Sequence, residues 1–95
     1  MIFDWDDEKS ELNQRKRGYS HAEVSKIFLA PHFTTRKNDE PEQWIAVGPL
    51  DGKLITIVYE DREDEAGEFT WIVTYWYSDG AEEQAYANST QSKKE

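Results

Sequence analysis

The sequence predicts an α+β fold: a small antiparallel sheet with two N-terminal helices before it and a short C-terminal helix after it, the helices on one face. Three observations carry this. Helix start and stop residues crowd the first thirty positions. Three β-branched and aromatic runs, 44–48, 54–60 and 69–77, then follow one another across turn residues. Finally, 95 residues with 14% aromatic content suit one folded domain, being too rich in large rings for a disordered chain.

Ile2 to Trp5 alternates apolar and polar residues as a short strand does. Asp6 can then cap a helix whose first turn holds Asp7 and Glu8 and whose last holds Arg15, Lys16 and Arg17, with Gly18 at the left-handed terminating position. Its apolar face is little more than Leu12, so this helix must lie on the surface against a neighbour. The neighbour is "YSHAEVSKIF": Ser20 as N-cap, Glu23 to close a capping box, and Tyr19 with Val24 as a hydrophobic staple. Val24, Ile27 and Phe28 share one face, and Pro31 ends the element.

"HFTTRKNDEPEQ" predicts a short edge strand entering a polar loop. "WIAVG", the turn "PLDG" and "LITIVYE" predict a hairpin, with Asp51 and Gly52 at its connection. "EDREDEAGE", residues 60–68, reads as an acidic loop, and "FTWIVTYWY", 69–77, as a third long strand. Strict alternation would turn Phe69, Trp71, Val73, Tyr75 and Tyr77 toward the helices and Thr70, Ile72, Thr74 and Trp76 away. "SDGAEEQAYAN" predicts a turn and a short helix, giving one domain over 1–88 and a flexible tail over 89–95.

Charge narrows the function. The net charge is −9, with nine acids against seven bases in residues 1–48 and eleven against four in 49–95. Tight non-specific nucleic-acid binding needs the opposite balance. The absence of cysteine and of a basic, apolar leader points to a soluble protein of the reducing cytoplasm, and no stretch is long and apolar enough for a membrane span. His21 and His32 have no carboxylate at a familiar ligand spacing, so both are expected on the surface and neither a metal nor a cofactor is expected. No glycine-rich phosphate loop or nucleophile elbow is present. The "RKR" of 15–17 fits a helix terminus, and the paired acids fit solvated helix starts and loops. Glu82 and Tyr86, four apart, point the same way from the last helix.

The order of these motifs is also familiar. "FDWDDEKSELNQRKRGYSHAEVSKIF" resembles the opening of the BrnT family, ribonuclease toxins of type II toxin–antitoxin pairs, through Phe3, Trp5, Asp6, Lys9, Asn13, Lys16, Gly18, Ser20 and Phe28. "EQWIAVG" and "LITIVYEDR" resemble two of its strands, and Glu82 and Tyr86 the Glu and Tyr of its last helix. The resemblance implies a RelE-like fold, metal-independent RNA cleavage, and neutralisation by an antitoxin of ribbon-helix-helix type. Carried over residue by residue, it makes Lys16, Arg62, Glu82 and Tyr86 the candidate catalytic set.

The chain departs from that pattern at two places. Lys-His-Gly becomes Lys16-Arg17-Gly18, and "TYWYSDGAEE" stands in place of an arginine-rich stretch, with Trp76 where an active-site arginine is expected. Two functional readings follow. In one, the chain is a toxin-family ribonuclease of weak activity, paired with an antitoxin. In the other, it is a catalytically silent acidic module or inhibitor, of the nucleic-acid-mimicking kind that phages encode. It would then engage a basic protein through Glu60, Asp61, Asp64, Glu65, Trp76 and Tyr77. RNA is at most a weak ligand in either reading.

Overall fold

A computed structural model describes residues 1–92. It has strand β1 (Phe3–Trp5), helix α1 (Asp7–Arg17), the one-turn helix α2 (His21–Val24) continuing as a 3₁₀ helix (Ser25–Leu29), then β2 (Phe33–Asp39), β3 (Glu42–Leu50), β4 (Lys53–Asp64), β5 (Gly67–Tyr77) and α3 (Gly80–Ser92). The sheet order is β1-β5-β4-β3-β2. The α+β class is as predicted, and every neighbouring pair is antiparallel except β1, which joins β5 in parallel. Among the described residues no helix is long and apolar enough to cross a membrane.

The local start and stop signals act as read. The Asp6 carboxylate accepts from the Lys9 amide, and Gly18 closes α1 at φ 100°, in the left-handed region that an L side chain avoids. Ser20 and Glu23 form both halves of the capping box. Asp51 and Gly52, both at positive φ, turn β3 into β4.

Four expectations change. The acidic segment 60–68 is not a loop: β4 runs to Asp64 and β5 starts at Gly67, so the acids stand on a long hairpin. Alternation along β5 breaks because one extra residue, Val73, bulges where Val58 pairs Thr74 but Tyr59 pairs Ile72. Ile72 and Tyr75 therefore both join the helix-side core, while Phe69 and Trp71 turn away. The helices do not share one face: Thr56 and Trp76, which alternate with the helix-side residues, reach Ser78, just before α3, and Glu82 in its first turn, and α3 packs over β2 and β3. Finally, α3 continues past Asn88 to Ser92, and residues 93–95 of the expected tail lie outside the described residues.

The core on the α1–α2 side joins Tyr19, Val24 and Ile27 to Ile55, Ile57, Ile72 and Tyr75, with Phe3, Trp5, Phe28, Leu50 and Tyr59 packed against them. Each buried aliphatic side chain contributes about 1.5–3 kcal/mol relative to exposure. The 3₁₀ turn can seat this low on β3 because Gly48 has no side chain; a Cβ there would stand 2.5 Å from Cγ2 of Ile27.

Candidate functional site

Helix α1 docks through polar residues. Ser10 and Asn13 are its buried positions, whereas Leu12 is 39% exposed. Ser10 accepts the His21 amide through its hydroxyl at 2.9 Å. The Asn13 side-chain amide lies 2.8 Å from His21 Nε2 and donates to Thr74 Oγ1 at 3.1 Å, while its oxygen accepts from Arg17 at 2.6 Å. The Arg17 guanidinium also lies 5.9 Å from the Tyr75 ring centre. Tyr75 donates its hydroxyl to the Tyr19 carbonyl at 2.6 Å and accepts the Tyr19 amide at 3.0 Å, which pins the α1–α2 junction to β5.

His21 is thus not a surface residue. It is fully buried, edge-on to Trp5 and Tyr75, and its Nδ1 has no hydrogen-bond partner among the described residues. Burial, helped by the charge of Lys9 and opposed by Asp6, lowers its pKa from 6.5 to about 4, so the ring is neutral near pH 7. His32 is half-buried, 2.7 Å from the Ala30 carbonyl through Nδ1 and edge-on to Phe28.

A second cluster opens on the far face. The Trp76 indole N–H donates to the two Glu82 oxygens at 3.1 and 3.3 Å. Glu82 also accepts the Asp79 amide at 2.9 Å, and Asp79 returns a cap to the Glu82 amide at 2.8 Å. Tyr86 follows one turn later, half-buried. Tyr77 projects to the other face, donates to the Arg17 carbonyl, and shares the ammonium of Lys53 with Tyr19 at 5.7 and 5.9 Å.

Arg62 belongs to a third cluster. It is ion-paired to Glu60 at 2.7 Å and stacked 4.4 Å from the Trp71 ring centre. Burial pushes the Glu60 carboxyl up, but hydrogen bonds from Gln43 and Arg62 outweigh it, and its pKa ends below the usual range. Arg62 pairs across from Phe69, seven residues along β5 from Trp76. At about 3.3 Å per residue that is roughly 20 Å.

The candidate residues therefore divide. Glu82 and Tyr86 share α3; Lys16, exposed in the last turn of α1, stands at the same end of the sheet by way of the Arg17–Tyr77 contact; Arg62 is at the opposite end. Of the candidate partner-binding residues, Glu60, Asp61, Asp64 and Glu65 lie on the outer β4–β5 hairpin. Trp76 and Tyr77 lie at its far end, on opposite faces and both engaged internally. Sequence reasoning missed the Asn13–Arg17–His21 cluster. The available signal was α1 itself, in which Ser10, Asn13 and Arg17 recur at helical spacing and no apolar stripe competes with them.

This arrangement of short parallel β1, α1 with its glycine stop, the capping-box helix and the antiparallel β2–β5 meander coincides with a family match. The model of a family described as "Ribonuclease toxin, BrnT, of type II toxin-antitoxin system" matches residues 5–75. The chain belongs to the BrnT family. The BrnT match runs from Trp5 at the end of β1 to Tyr75 and covers both faces of the Asn13–His21 cluster. It stops one residue before Trp76, so the Trp76–Glu82 contact and α3 lie beyond the part of the chain that carries the BrnT assignment. No curated protein matches the chain.

Proposed function

We propose that this BrnT-family chain works by binding an antitoxin-type protein partner, and that its ribonuclease chemistry has lapsed. The observation that supports this most is the Trp76–Glu82 contact. By resemblance, an arginine is expected at position 76; a neutral indole stands there instead and occupies the Glu82 carboxylate. A neutral N–H can hold a carboxylate, but it does not offset the charge that builds on a phosphate in the transition state.

The other arginines do not fill that gap. Arg17 is tied to Asn13, Arg36 to Asp39 and Glu42, and Arg62 to Glu60. Arg15 borders a shallow hollow shared with Asp6, Glu8 and Glu11. In the competing reading, Lys16, Arg62, Glu82 and Tyr86 would cleave RNA. That reading requires Arg62 to act across the length of the sheet from Glu82, against the electrostatic need for convergent cations.

The test is cleavage of total cellular RNA by the purified chain at high concentration, with growth on expression alone as the cellular readout. We expect intact RNA and unchanged growth. RNA cleavage that disappears in Glu82→Ala or Arg62→Ala would overturn the proposal.

A further inference from the structure

The β4–β5 hairpin outruns the rest of the sheet. β3 accompanies β4 only as far as the Trp44–Tyr59 pair, whereas β4 and β5 stay paired to Asp64 and Gly67. From Asp61 to Asp64, β4 has a strand on one side only, and alternate residues of such an edge turn N–H and C=O outward. The ribbon is charged on a chosen face. Glu60 is already neutralised by Arg62, but Asp61, Glu63 and Glu68 are exposed, share one face by the strand pleat, and have no ion-pair partner among the described residues. Glu63 and Glu68 stand directly opposite each other, a like-charge pair that costs stability until a cation comes between.

We propose that the outer edge of β4, Asp61 to Asp64, receives an extended basic segment of a partner protein as an added strand, its lysines or arginines set at alternate positions toward Asp61, Glu63 and Glu68. Main-chain hydrogen bonds would give this contact its direction, and the alternating cations its selectivity. A second copy of the chain is a poorer occupant. Of the sheet's outermost strands, β1 carries no base, and β2 carries Arg36 and Lys37 but is interrupted by a bulge between Arg36 and Asn38; two chains of net charge −9 also repel. The inference deepens the protein-binding reading above by naming the surface used and the chemistry of the partner segment.

The probe is a synthetic peptide alternating lysine with threonine, titrated into the full chain, with a control peptide of the same charge in which prolines replace the threonines. We expect the first peptide to bind, to weaken at least about tenfold from low to high salt, and to slow amide exchange within 61–64. The double variant Asp61→Lys, Glu63→Lys should lose binding about tenfold or more while its urea midpoint stays at or above that of the parent, since the new lysine at position 63 would face Glu68.

Absence of binding, equal binding of the proline peptide, or protection confined to β2 would each overturn the proposal. So would self-association at low salt that Arg36→Glu abolishes, since the occupant would then be another copy. The titration contains neither RNA nor antitoxin. Cleavage found in the earlier assay leaves this edge proposal standing, and a failed titration leaves the earlier reading standing.

Discussion

His21 carries the clearest residue-scale consequence. Its ring is buried and neutral, with a folded pKa of about 4 against 6.5 for an ordinary histidine. Between those two values the unfolded chain binds a proton that the folded chain refuses, so stability falls as pH drops through this window and levels off below it. At 1.36 kcal/mol per pH unit the whole window is worth about 3 kcal/mol, of which about 2 kcal/mol is lost by pH 5. Urea unfolding at pH 7 and pH 5 should show that difference, and His21→Gln should flatten it. A parent chain equally stable at both values would show that the ring is hydrated in the folded state. Nothing in the residues around His21 signals this burial. A lone histidine at the start of a short helix reads as solvated, and the contacts that place it inside come from Ser10 and Asn13, eleven and eight residues upstream on another helix.

At the scale of elements, the helix boundaries were legible because caps act over three or four residues. Asp6, Gly18, Ser20 and Glu23 all serve where the sequence puts them. What was not legible is how the elements meet, since that depends on partners distant in the chain. The close seat of the 3₁₀ turn on β3 is an example. Gly48 leaves room for a buried, branched Ile27 whose Cγ2 cannot swing aside, and His32 Cβ closes the other flank at 3.2 Å from where a Cβ would stand. Gly48→Ala should therefore destabilise by about 1–3 kcal/mol through overpacking, read as a lower urea midpoint with an unchanged slope. The double variant Gly48→Ala, Ile27→Val, which keeps Cγ2 on a smaller side chain, should not recover the loss. Ile27→Ala, which removes that methyl, should relieve the clash while adding a cavity of its own.

At the scale of the whole molecule, the sequence revealed the class, the count of long strands and the family, because a meander of neighbouring strands needs only local turns. It did not give the two-sided placement of the helices or the reach of the β4–β5 ribbon. Both follow from where β3 stops and where α3 crosses the sheet. The candidate site was half legible for the same reason. Glu82 and Tyr86, one turn apart, keep company in space, whereas Arg62 is held away by the length of a strand. The single additional residue at Val73 has the widest effect. It swaps the parity of β5: even-numbered Ile72 faces the α1–α2 side before it, and odd-numbered Tyr75 and Tyr77 do so after it. A substitution map along this strand should therefore change rhythm midway, the most sensitive positions passing from even-numbered Thr70 and Ile72 to odd-numbered Tyr75 across residue 73. A shortened chain lacking Val73 would have to seat either the wrong half of the strand or none of it.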